Sequence, residues 1–151
     1  MSISENVHFK TAAASQFDIQ IGTTSVDRVM TVGGLSVSVE VSSASTGTDL
    51  YERKRPGLIK FEDVTFKRGF FYDDRTMSDY WSNWMLSSGT PEDGSIILYN
   101  NGASGAAEEI ARWNFFSAWP SKYTISDFDA TSTDLVTEEL TLTIERLERA
   151  D

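Results

Sequence analysis

The chain contains no cysteine, which excludes a disulfide framework and a thiolate metal site and fits synthesis in a reducing compartment. Histidine is nearly absent too. His8 stands alone, whereas a metal site needs several converging ligands and a catalytic triad needs a base held against a nucleophile. It reads as a solvated or interface residue. No apolar run approaches the ~18 residues needed to span a bilayer, so no membrane insertion is expected. The first ten residues lack the basic and apolar regions of a signal peptide, so the expectation is cytoplasmic synthesis without a leader. Phosphate-binding glycine patterns are missing; Gly102 and Gly105 read as turn glycines. There is no basic excess either. A net charge of -10 argues against an ordinary nucleic-acid binder.

What is present suits one globular domain, expected to span 1–151. The 151 residues are 40% hydrophobic and 12% aromatic, enough to bury a core. Charge is unevenly spread. Arg53, Lys54, Arg55, Lys60, Lys67 and Arg68 crowd one window, while Asp and Glu dominate the C-terminal third. The bland reading is two solvated faces. The sharper one is a basic patch that meets an acidic patch on an identical neighbour and sets register.

Period-two alternation dominates. Phe17, Ile19 and Ile21, then Leu35, Val37, Val39 and Val41, then Leu140, Leu142 and Ile144 alternate with polar residues. Each run predicts a strand with one face in a core. Shorter strands are expected at Val29–Val32, Phe61–Lys67, Ser95–Tyr99, Arg112–Phe116 and Tyr123–Phe128. Ile96-Ile97-Leu98 is apolar on both faces, so it should lie centrally or under a cover. Gly22-Thr-Thr-Ser and Asn100-Asn-Gly-Ala-Ser-Gly signal hairpins, and Gly33-Gly34 signals a bulge or sharp bend. The polar stretch after Ser42 reads as a hairpin arm of about 42–57, reaching the Arg53–Gly57 loop. One helix is expected, from about Arg75 to Ser87. Its core face would be Met77, Tyr80, Trp81, Trp84 and Met85. Asp73 and Asp74 sit at its positive end, Thr76 with Asp79 approximates a capping box, and Gly89 with Pro91 stops it. The fold class is therefore mainly β: a small β-barrel or orthogonal β-sandwich with one flanking amphipathic helix.

Catalysis finds little support, and no cofactor is expected. Asp73-Asp74 is explained by the helix dipole and Glu108-Glu109 by a solvated turn. Neighbouring strand residues point to opposite faces, so neither pair converges on a ligand. Trp81, Trp84, Trp113 and Trp119 could form a sugar-stacking platform, which keeps a carbohydrate-binding β-sandwich in view. Core packing is the commoner use of such residues. Arg53-Lys54-Arg55 lacks an extended basic stripe and is read as an intersubunit contact, together with Pro56, Gly57, Lys67 and Arg68.

Five segments then occur in order: Val32-Gly-Gly-Leu35, Arg55-Pro-Gly57, Val64-Thr-Phe-Lys-Arg-Gly69, Trp113-Asn-Phe-Phe-Ser-Ala-Trp-Pro-Ser-Lys122 and Glu138-Glu-Leu-Thr-Leu142. Together they resemble the tail tube proteins of contractile-tailed phages and the inner-tube proteins of extracellular contractile injection systems, from about Phe17 to Arg146. The resemblance implies hexameric rings stacked into a hollow tube, with DNA or a protein effector passing through a hydrophilic lumen. Sheath subunits, baseplate proteins and tail-terminator proteins would be its partners, and the tail or injection particle its location. Ser36, Ser38, Glu40, Thr141 and Thr143 become candidate lumen residues. An N-terminal arm of about 1–15 and the inter-ring arm would reach neighbouring subunits. A ring-forming tube initiator at the baseplate is the alternative within the same architecture.

Overall fold

A computed structural model describes residues 16–87, 89–101 and 107–150. Ten strands and one helix follow in the order β1 (Gln16–Ile21), β2 (Thr24–Val26), β3 (Val29–Gly33), β4 (Val37–Ala44), β5 (Arg53–Phe61), β6 (Val64–Gly69), α1 (Thr76–Ser87), β7 (Glu92–Asn101), β8 (Ala107–Ile125), β9 (Thr137–Thr143) and β10 (Arg146–Arg149). Eight of the strands join in one antiparallel sheet of order β2-β1-β7-β8-β9-β6-β3, with β10 paired to β8. β3 comes round against β1, so the sheet rolls into a small barrel. β4 and β5 form a separate two-stranded ribbon. The fold is mainly β with one flanking helix, as the alternation implies.

The core shows why. Ile19 and Ile21 of β1, Val64 and Phe66 of β6, Ile96 of β7 and Leu140 and Leu142 of β9 are all buried. They alternate with residues that reach the other face, giving the polar-apolar rhythm of one-sided sheets. Ile97 is also buried, so this part of β7 is covered on both sides as its sequence requires.

β8 departs from expectation. The short strand expected at Arg112–Phe116 and the first half of the one expected at Tyr123–Phe128 belong to one 19-residue strand. It ends at Ile125, leaving residues 126–128 in the connection that follows. β8 pairs with β7 and β10 in its first half and with β9 in its second. Ser117, with φ 54, breaks the alternation between them, so Phe115 and then Ala118 and Pro120 all turn inward. This corner carries the chain from one half of the barrel to the other. The strand expected over Phe61–Lys67 is likewise two elements. β5 ends at Phe61 and β6 begins at Val64, with the Glu62 N–H donating to the Ser36 carbonyl at the turn (3.1 Å). Gly34, at φ 81, sits so close to this turn that a Cβ would fall 1.9 Å from the Asp63 carbonyl oxygen. Only glycine fits the foot of the ribbon.

Candidate assembly surfaces

The β4–β5 ribbon differs from every other strand pair in the molecule. Its register places Val37 opposite Phe61, Val39 opposite Ile59 and Val41 opposite Pro56. Opposed residues in an antiparallel pair share a face, so this side is apolar. The other side carries Ser38 with Lys60 and Ser42 with Arg55, and Lys60 forms an ion pair with Glu40. Gly57 and Leu58 together oppose Glu40 where the register shifts, which accommodates Pro56 inside a strand. The apolar side is open: Val41 is 66% exposed and Ile59 64%. The expectation that Leu35, Val37, Val39 and Val41 line this chain's own core is corrected here. The ribbon projects beyond the barrel, and none of the described residues covers its apolar side.

The expected basic loop is corrected as well. Arg53, Lys54, Arg55, Pro56 and Gly57 lie on β5 itself, close to the tip of the ribbon. Arg53 reaches Asp49 across that tip (3.4 Å).

Lys67 and Arg68 part company. Lys67 is half-buried on the outer face of β6, opposite Glu139. Arg68 is 0% exposed, so its assignment as an intersubunit contact is overturned. It lies on the core side of β6, where its Nε donates to Glu138 Oε1 (2.9 Å) and its Nη1 to Asp74 Oδ2 (3.0 Å). Glu138 also accepts from the Tyr123 hydroxyl (2.7 Å). Burial alone would lower the Arg68 guanidinium, but its bonds to Asp74 and Glu138 outweigh this and raise it. Burial and then the Glu138 bond push Tyr123 up.

Asp74 joins this cluster to the helix. Its Oδ1 accepts both the backbone N–H of Thr76 (3.0 Å) and its hydroxyl (2.6 Å), so Asp74 caps α1. Those bonds, with Arg68, hold its carboxyl well below the ordinary carboxylate range. The expected Thr76–Asp79 capping box is replaced: Asp79 pairs with Arg75 (3.6 Å) instead.

The helix lies against β2 and β8. Met77 is buried, and Tyr80 and Trp81 pack on the core from its edge. Trp84 is half-buried and stacks on Trp119, with ring centroids 6.3 Å apart; Trp81 stacks on Tyr123 at the same spacing. Trp113 packs against the core. Met85 is 59% exposed and does not belong to the core face. Leu86 beside it is exposed as well, so in the last turn only Trp84 packs on the sheet, against Trp119. The four indoles are thus committed to packing and to one another, not arrayed as an open platform.

Of the candidate lumen residues, Ser36, Ser38 and Glu40 belong to the ribbon and its foot and are exposed. Thr141 and Thr143 sit on the outer face of β9, where the Thr141 and Thr65 hydroxyls lie 3.2 Å apart. The two sets are on different sheets. His8, Gly102, Gly105 and the arm of about 1–15 lie outside the described residues. Among the described residues, no group of three or more His, Asp or Glu could hold a metal, and no helix is long and apolar enough to cross a membrane.

A small rolled sheet, one flanking helix and a two-faced ribbon with an open apolar side define a β-barrel subunit with unfinished surface. Comparison with known proteins makes the class specific: the chain belongs to the family described as T4-like virus tail tube protein gp19, whose model matches residues 13–148. No curated protein sequence matches it significantly. Among solved structures it is similar to a chain of the PVC sheath–tube complex of an extracellular contractile injection system in its extended state. That pair shares 26% identity and a TM-score of 0.80, over 95% of this chain and 93% of the other. A chain of the anti-feeding prophage tube-terminating cap is 24% identical, with a TM-score of 0.79 over 99% of each chain. Hcp1 from Flavobacterium johnsoniae shares the fold at 13% identity, with a TM-score of 0.53 over 89% of this chain and 94% of that one.

Proposed function

We propose that this chain is the repeating subunit of the inner tube of a contractile tail or injection machine. Copies form six-membered rings, rings stack, and the stack encloses a hydrophilic channel that conducts DNA or a protein effector. Sheath, baseplate and terminator proteins are its neighbours in the particle, and its role is structural rather than catalytic. The observation that carries this reading is the β4–β5 ribbon. A monomer has no use for a long strand pair with an uncovered valine-isoleucine face, which would be an aggregation hazard if left open. Ring closure removes exposed strand edges in the same way that a barrel does. Polar Ser, Thr and Glu side chains on outward faces suit a wet channel, and the excess of acid repels DNA from its wall.

Electron microscopy of the concentrated protein tests this directly. The expected result is six-fold rings and long tubes. Arg53→Glu with Arg55→Glu should leave subunits or single rings without long tubes. Strictly single chains under all conditions would remove the proposal, and normal tubes from the variant would remove the ribbon tip from stacking.

A further inference from the structure

The strand register places two exposed features at opposite ends of the molecule. β6 runs against β9 from Val64–Leu142 to Gly69–Thr137, a span of about 17 Å. The ribbon leaves at the Val64 end, since β5 enters β6 there and Gly33 of β3 pairs with Thr65. At the Gly69 end lies the connection from β8 to β9, residues 126–136, tied down by the Phe70 N–H donating to the Val136 carbonyl (2.8 Å).

That connection is chemically the complement of the ribbon. It holds Asp127, Asp129 and Asp134 with no lysine or arginine, and it presents Phe128 and Leu135, each 80% exposed. Beside them opens a cleft of ≈ 690 Å³ with Lys67 at its rim. Asp129 shapes the loop by accepting the Thr131 N–H and hydroxyl. Asp127 and Asp134 form no ion pair among the described residues. On the ribbon, Lys54 and Arg55 form none either, and the valine-isoleucine face is open.

We infer that the β8–β9 connection of one copy is the receptor for the β4–β5 ribbon of the next, which deepens and rests on the tube reading. Phe128 and Leu135 cover the apolar face, while Asp127 and Asp134 clasp the free edge of β5, between Lys54 on that face and Arg55 on the polar one. Donor and receptor lie at opposite ends of one strand pair, so the contact is head-to-tail. A contact of that kind cannot close between two copies and repeats along an axis.

Charge exchange tests the pairing on the full chain, with tube yield read by sedimentation and electron microscopy. Lys54→Glu/Arg55→Glu and Asp127→Arg/Asp134→Arg should each lower tube yield about tenfold or more. The chain carrying all four changes should recover to within about threefold of the parent, since the attraction is restored with its signs reversed. The cysteine-free background allows a second readout. An Ile59→Cys chain mixed with a Phe128→Cys chain should give mixed disulfide pairs in preference to pairs of like chains. Parent tubes with unaffected Asp127→Arg/Asp134→Arg tubes, or with no recovery in the combined variant and no mixed disulfide, overturn this inference and leave the tube reading standing. A parent chain that never assembles overturns both.

Discussion

The β6–β9 pair and the β4–β5 pair are both antiparallel and both two-faced, yet one buries its apolar face and the other exposes it. In β6–β9 every second residue from Val64 to Arg68 and from Glu138 to Leu142 is buried. In β4 every residue is exposed. The two basic segments follow their strands: Arg68 is sealed among carboxylates, whereas Lys54 and Arg55 stand free of ion pairs among the described residues. Alternation therefore records that a face will be covered. It does not record by whose side chains. In a polymerising subunit, part of the hydrophobic pattern belongs to the folding of one chain and part to the association of many.

The contrast is broken most severely at Arg68. Removing one partner of a buried ion pair strands the other in low dielectric, at a cost of about 3–5 kcal/mol. Arg68→Ala should therefore lower unfolding stability by that amount, measured by urea denaturation of the subunit. Replacing both partners, as Arg68→Met with Glu138→Leu, should recover at least half of the loss, because a well-packed apolar pair avoids the desolvation penalty. If the single change is harmless, the cluster is not the clamp that its distances describe.

Asp74 gives a smaller and pH-dependent effect. Its folded carboxyl lies well below the ordinary range of an aspartate. A depressed acid contributes stability that is fully present above its unfolded pKa and is lost as pH falls through the folded one. Acid unfolding should thus steepen below about pH 4. Asp74→Asn retains an oxygen for Thr76 but loses the charge facing Arg68 and Arg28. It should cost about 1–2 kcal/mol at neutral pH and flatten the stability curve below pH 4. An unchanged acid limb in the variant would show that other carboxylates control it.

How much of this was legible in the residues alone follows the same division. Local signals held. Gly22 does take a left-handed turn between β1 and β2, the helix starts after Asp74, and Ile96-Ile97-Leu98 is central. The failures have physical causes. Ser117 carries no marker of the left-handed conformation that fuses two expected strands into β8. Arg68 reads as surface charge because its partners, Asp74 and Glu138, are brought to it only by folding. Val37, Val39 and Val41 carry the pattern of a core strand because they have a face to bury, and sequence periodicity is blind to chain identity. The family resemblance was legible because its motifs fall on the barrel strands and the ribbon together.

The smallest expected effect on the subunit is the most telling one for the comparison. Val41→Ser removes a side chain that is open to water in the single chain, so subunit stability should change by no more than about 0.5 kcal/mol. If the ribbon docks on the next copy as proposed, the same side chain becomes covered, and full burial of a valine is worth about 1.5–3 kcal/mol. The concentration needed for tube growth should rise about tenfold, the equivalent of 1.4 kcal/mol at each contact. Leu140→Ser is the opposing control. It unfolds the subunit before any question of assembly arises, because Leu140 is wholly buried within it. Equal subunit destabilisation by both variants would mean that the ribbon's apolar face already contributes to the fold of one chain. Strong loss of tubes from Val41→Ser alone, with an unchanged melting curve, would locate that face in the contact between copies.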